Sequence, residues 1–152
     1  SSEDVLDRFC RAAAHFGVDR VVRATGDNPL VSPAQAQALL TLHAAQGWEV
    51  SHFLGPPLGT GVEVAERRAL EEAARETVDP YEHEHVTPYL YRHPERFRVG
   101  EPQCPAAWRL PAARLTLDTA EDYERIAGVC RELYRGEPVE TEELVEWLKA
   151  SR

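Results

Sequence analysis

Val5, Leu6, Phe9, Cys10, Ala13 and Phe16 recur at the three- and four-residue spacing of one helix face, and Gly17 stands where such a helix stops. The β-branched run from Asp19 to Thr25 predicts a short buried strand. It is ended by Gly26-Asp27-Asn28-Pro29, so that Asp27 falls just past the strand's C-terminal end. Ser32-Pro33-Ala34-Gln35 has the order of a helix start, with Ser32 as cap and Gln35 able to reach back to it; the helix runs to about Gln46 and Gly47 closes it. Trp48 to Phe53 alternates apolar and polar residues as a strand does. Gly55 to Gly61 is a loop by composition, Val62-Glu63-Val64 is extended again, and Glu66 to Thr77 is helical.

Asp79-Pro80 and Thr87-Pro88 predict two short helical pieces, because Pro88 cannot sit inside an intact helix; Thr87 is expected to cap the second. Phe97-Arg98-Val99 and Arg114 to Asp118 read as strands, with Glu101 to Pro111 as an excursion between them. Thr119 is expected to cap a helix that carries Tyr123, Ile126, Ala127, Cys130 and Leu133 on one face. A last helix opens at Thr141, and its Leu144, Val145 and Leu148 can dock it onto the body or onto another subunit, which leaves a homodimer open. Strands alternating with helices imply an α/β fold, a layered and mostly parallel sheet with flanking helices, since parallel neighbours need crossover helices.

The length of 152 residues suits a single domain, 1–152, and the 43% of hydrophobic residues can supply its core. No apolar run approaches the roughly 20 residues that span a bilayer. The start, Ser1-Ser2-Glu3-Asp4, is acidic where a signal peptide is basic, which argues for the cytoplasm and against a membrane partner. Cys10, Cys104 and Cys130 have no CxxC spacing, so neither a disulfide framework nor a thiolate zinc site is indicated. The net charge of -9 repels nucleic acid phosphates, and with Lys149 as the one lysine there is no basic cluster to offset it. Hydrolase and dehydrogenase signatures, Gly-x-Ser-x-Gly and the Rossmann glycines, are absent as well.

Two aspartates share a local context: Asp27 follows the run Val21 to Thr25, and Asp118 ends Arg114 to Leu117 just before a helix. Ligands of open α/β sheets bind beyond the carboxyl ends of strands, where paired carboxylates suit Mg2+, which takes one or two of them and fills its shell with water and phosphate oxygens. Each aspartate has an alternative role as a turn or helix cap. Glu82-His83-Glu84-His85 is discounted as a metal site, because helical residues two apart do not share a face.

Arg23-Ala-Thr-Gly-Asp-Asn-Pro-Leu30, Gly61-Val-Glu-Val64, Glu84-His-Val-Thr-Pro-Tyr89 and Arg114-Leu-Thr-Leu-Asp-Thr-Ala-Glu-Asp-Tyr123 resemble, in this order, the spore coat polysaccharide cytidylyltransferase family, akin to the acylneuraminate and 3-deoxy-manno-octulosonate cytidylyltransferases. The resemblance covers nearly the whole chain. It implies a glycosyltransferase-A-like nucleotidyltransferase fold, with CTP and a sugar as substrates, pyrophosphate as leaving group and Mg2+ as cofactor. It assigns Asp27 and Asp118 to the metal and phosphates, and Glu63, His85 and Thr87 to the sugar side. Arg23 would reach a phosphate or a sugar carboxylate, or else form an ordinary ion pair. The pattern departs from the family's in two ways. Thr116-Leu117-Asp118 stands where related sialate enzymes carry Asp-x-Asp, and no opening strand with a Gly-rich basic phosphate loop is present. The chain is therefore expected to be the C-terminal part of the fold, lacking its N-terminal nucleotide-binding strands and exposing a central strand edge. A non-catalytic or regulatory module of the same fold, and a glycosyltransferase, are the competing readings.

Overall fold

The structure is a computed structural model that describes residues 4–150; Ser1 to Glu3, part of the acidic opening that argues against a signal peptide, lie outside them. Helix α1 spans Val5–Phe16. The Asp4 carboxylate starts it by accepting from Asp7 N at 2.8 Å, and Gly17 ends it at φ 64°, in the left-handed region that glycine enters without steric cost. Strand β1 (Arg20–Arg23), helix α2 (Pro33–Gln46), β2 (Val50–His52), β3 (Glu63–Glu66), α3 (Arg67–Glu76), α4 (Pro80–His85), α5 (Pro88–Arg92), β4 (Val99–Gly100), a 3-10 turn (Ala106–Trp108), α6 (Ala120–Leu133) and α7 (Thr141–Ala150) follow. No helix among the described residues is long and apolar enough to cross a membrane.

The strands form one sheet in the order β1-β3-β2-β4. β2 and β4 pair in parallel, whereas β1 and β3 pair antiparallel with Arg20 opposite Glu66 and Arg23 opposite Glu63. The sheet is thus mixed rather than mostly parallel. Its physical cause is the connection between β2 and β3, which holds no helix, and only a crossover would return the chain in the same direction. β1 is also an edge strand, not a buried one, with Val22 41% exposed.

The chain divides into two compact units that interleave along the sequence. The first comprises the segment ending at Arg23, Leu40–Ser51 and Glu63–Gly100. Its core gathers Leu6 of α1, Val50 of β2, Leu70 of α3 and Leu90 of α5, with Val86 and Phe97 from the connections. Gly100 is required there by close approach, since a Cβ on it would meet the Trp48 ring at 2.1 Å.

The second unit comprises Ala24–Leu39, His52–Val62 and the segment that begins at Glu101. Leu30, Leu115, Ile126 and Val129 of α6, Val139 and Leu144 of α7 form its core, so the apolar face of α7 docks on its own unit. The loop Pro57 to Gly61 lies along residues 113–116: Leu58 N donates to Ala113 O at 2.9 Å and Leu115 N to Leu58 O at 2.8 Å. Those bonds make one isolated bridge, so the strand expected over Arg114 to Asp118 is extended chain without a ladder. Ser32 does cap α2, accepting from Gln35 N at 3.2 Å. The Gln35 amide, however, donates to Thr60 at 3.1 Å and Thr141 at 2.5 Å instead of reaching back.

Helix α6 begins with a capping box in which Thr119 Oγ1 accepts from Asp122 N and the Asp122 carboxylate accepts from Thr119 N at 2.9 Å. That box turns Asp122 inward. The buried stripe is consequently Asp122, Ile126 and Val129 with Leu133 packed against the same core, so Ile126 and Leu133 lie inward as expected, whereas Tyr123, 60% exposed, and Cys130 face outward. Thr119→Ala is expected to lower stability by about 1 kcal/mol, read as a shift in urea midpoint with an unchanged slope.

Candidate functional site

In the first unit, Arg23 closes β1 and Glu63 opens β3, and the antiparallel register sets them opposite each other. Arg23 Nη1 donates to Glu63 Oε2 at 2.7 Å between side chains only 18% and 22% exposed. The ion-pair reading of Arg23 is therefore the one that the geometry takes, and its Nε is buried without a hydrogen-bond partner. Thr87 Oγ1 donates to the same carboxylate, 2.9 Å from Oε1 and 3.0 Å from Oε2. Thr87 stands at the cap position of α5 but makes no side-chain cap bond. The expected capping role is corrected for a simple reason: a hydroxyl has one proton to give, and a carboxylate is the stronger acceptor.

His85 is not part of that chain of bonds. It is the exposed last residue of α4, with its ring 4.2 Å from that of Tyr81. His83 points elsewhere, to Asp4 Oδ2 at 3.1 Å and the Thr77 carbonyl at 3.2 Å. Glu82 is buried and accepts from Thr77 and, at 2.5 Å, from Arg92. Among the described residues no group of three or more His, Cys, Asp or Glu is arranged to hold a metal.

In the second unit, Asp27 lies exposed on the turn after β1, and its backbone carbonyl accepts from Leu117 N at 2.8 Å. That bond ties the Asp27 turn to the segment carrying Asp118. The Asp118 carboxylate accepts from Arg114 and, at 2.8 Å, from Thr116 Oγ1. Both contacts fall on Oδ2, and Asp118 N donates to Asp122 at 3.2 Å, so Asp118 is oriented from three sides while half exposed. Neither aspartate caps a helix. This donor set, an exposed carboxylate on one segment and a half-exposed carboxylate held through one oxygen on the segment bonded to it, fits a cation that keeps waters and takes phosphate oxygens better than one needing a full protein cage.

The cytidylyltransferase family model matches residues 1–143. The chain belongs to the cytidylyltransferase family. It is similar to the spore coat polysaccharide biosynthesis protein SpsF of Bacillus subtilis (strain 168), 35% identical over 146 residues that make up 95% of this chain and 61% of the relative. It is also similar to an uncharacterized protein of Methanocaldococcus jannaschii, 36% identical over 82% of this chain and 51% of that protein. A solved cytidylyltransferase from Leptospira borgpetersenii serovar Hardjo-bovis (strain JB197) matches with a TM-score of 0.90 and 28% identity, over 99% of this chain and 64% of that one. The mixed α/β fold with its four-stranded sheet is therefore that of a cytidylyltransferase structure, and the chain spans between 51% and 64% of the length of these relatives.

This cytidylyltransferase chain holds a third set that the sequence did not announce. Ser51 Oγ lies 2.8 Å from His43 Nδ1, and His43 Nε2 lies 3.1 Å from Glu66 Oε1, which also accepts from Arg20 Nε at 2.6 Å. Serine, histidine and carboxylate in that order have the form of a nucleophilic relay. Ser51 and His43 are both 0% exposed, so no substrate reaches them, and the set acts as a strut between α2, β2 and β3. Burial pushes His43 below the ordinary histidine value of 6.5, with the bond to Glu66 opposing it. An unfolded histidine binds a proton below about pH 6.5, whereas folded His43 resists one. Its contribution to stability is thus complete above that pH and lost as the pH falls below it. His83 has the opposite sign: its bond to the accepting Asp4 carboxylate raises it, so its contribution is present at low pH and lost as the pH rises. Urea midpoints from about pH 8 to about pH 5 should show a steeper acid decline in the wild type than in His43→Gln; identical slopes would contradict this account.

The sequence reading missed Arg114 as the partner of Asp118, although its place four residues upstream in one motif was a usable signal. It had no signal for His43, a polar residue on the buried face of α2 whose partners lie on two strands.

Proposed function

We propose that this chain is the metal and sugar side of a cytoplasmic, CTP-dependent sugar nucleotidyltransferase of glycosyltransferase-A-like fold, which makes a CMP-sugar for surface polysaccharide biosynthesis. The observation that carries the reading is the bond from Leu117 N to Asp27 O, which joins the two aspartate segments in a member of the cytidylyltransferase family. In the reaction a sugar hydroxyl attacks the α-phosphate of CTP and pyrophosphate leaves. Asp27 and Asp118 would hold Mg2+, which when bound offsets charge on the phosphates and orients the leaving group. Arg114 and Thr116 keep the Asp118 carboxylate turned, leaving Oδ1 for the ion. On the sugar side, Arg23 and Thr87 hold Glu63 as an acceptor for sugar hydroxyls, while His85, exposed beside Tyr81, is free to donate. Catalysis is then mostly positioning.

The test is calorimetric titration with CTP with and without Mg2+, joined to pyrophosphate release with 3-deoxy-manno-octulosonate or N-acetylneuraminate as acceptor. Mg2+-dependent CTP binding that chelation abolishes supports the proposal. The chain alone is expected to be poorly active, so the deciding case is the chain joined to a nucleotide-binding segment: a folded protein of that kind that binds no CTP and releases no pyrophosphate in either condition overturns the proposal.

A further inference from the structure

Val86 has φ 77° and ψ -56°, the one positive φ outside glycine among the described residues. With Thr87 N donating to His85 O at 3.0 Å, it is the centre of a γ-turn of the strained hand. A β-branched residue is a poor choice there, since its Cβ crowds the backbone at positive φ. The next residue carries a second cost. Thr87 is helical in backbone, φ -98° and ψ -16°, although Pro88 follows and disfavours that region. A third cost is the forgone cap bond of α5. Three local rules fail within two residues, and all three failures converge on Thr87 Oγ1, which they deliver to Glu63. Local rules broken together mark functional positions more often than accidents.

Val86 itself is 1% exposed and belongs to the core shared by Leu6, Leu70 and Leu90. Burial of its isopropyl group is therefore the available force that keeps the turn closed. We propose that Val86 is a positioning residue: its buried side chain holds a strained turn that fixes Thr87 on Glu63 and so presets the Glu63 carboxylate as acceptor for a sugar hydroxyl. The inference rests on the reading of Glu63 as a sugar-side group, but its structural half stands in the free protein.

The two halves predict an order of variants that packing alone reverses. Glycine adopts positive φ without strain, so Val86→Gly keeps the turn although it removes most volume; alanine keeps the strain and loses the burial, so Val86→Ala opens it. In nuclear magnetic resonance of the free protein, the Thr87 to Glu63 side-chain contact should persist in wild type and Val86→Gly and disappear in Val86→Ala. In the transfer assay, the sugar KM should rise about tenfold in Val86→Ala and Thr87→Val, the effect of one hydrogen bond to a charged group, with kcat and the CTP KM held. Val86→Gly should keep the sugar KM below that of Val86→Ala, and Thr87→Ser, which restores the hydroxyl, should recover the affinity lost in Thr87→Val. A contact and a KM that worsen from alanine to glycine, in step with lost volume, overturn the proposal. Should Val86→Ala not fold, Val86→Gly set against Thr87→Val decides by the same readouts. A wild type that transfers no cytidylyl group sinks the functional proposal alone, because the contact in the free variants still tests the turn.

Discussion

On the proposed metal role, Asp27→Asn and Asp118→Asn are each expected to lower kcat/KM for cytidylyl transfer by on the order of a hundredfold or more, and to abolish Mg2+-dependent CTP binding. The substitution preserves shape and removes one negative charge, so it would strip the proposed site of a ligand for the cation while leaving the turn in place. Neither change should unfold the protein. Asp27 is exposed on its turn, and the bond that ties that turn to Leu117 runs through its backbone carbonyl, which the substitution keeps. Asp118 loses its pair with Arg114, but that pair is half exposed, and such pairs contribute only about 0–1 kcal/mol. Unchanged melting with lost activity is thus the expected signature, and Glu142→Gln, a loss of charge on the exposed first turn of α7, is the control that should retain activity. Full activity in either aspartate variant would remove the metal role assigned to that residue.

Gly59→Ala is expected to lower stability by about 2–4 kcal/mol. Two independent effects add. Gly59 has φ 93°, where any Cβ is strained, and a Cβ there would stand 2.8 Å from the carbonyl carbon and oxygen of Leu115 and 2.9 Å from Thr116 N. These are backbone atoms, which cannot swing away as a side-chain end can. Relief requires the Pro57 to Gly61 loop to lift from residues 113–116, breaking the bonds between Leu58, Ala113 and Leu115. Thr116 would move with them, and its hydroxyl orients Asp118. Urea unfolding should show the loss of stability, and CTP titration a parallel loss of Mg2+-dependent affinity; a fully stable variant would mean that the loop accommodates the methyl group by other means.

Both sites show how much of the molecule was legible beforehand. The helices were, because each rests on signals a few residues apart: Gly17 ends α1, and Thr119 starts α6. Asp27, Asp118, Arg23, Glu63, His85 and Thr87 were legible as residues of ordered motifs. Their partners were not. Thr87 read as a cap because its neighbour Pro88 is visible in the chain, whereas Glu63, 24 residues away, becomes a competitor only when β3 and α5 are packed together. On α6, Ile126 and Leu133 were legible as inward residues, but Tyr123 and Cys130 were not legible as outward ones, because the inward turn of Asp122 depends on the cap geometry and not on hydrophobicity.

The sequence by itself determined where helices begin and end, the family to which the chain belongs and the residue types available for chemistry, all of which depend on local spacing. Tertiary structure alone decided the antiparallel placement of β3 beside β1, the pairing of Arg23 with Glu63, the burial of His43 and the strained turn at Val86. The reason is physical: strand direction, ion-pair partners and the burial that offsets backbone strain are set by groups distant in the chain, and their energies exist only once those groups have been brought within contact.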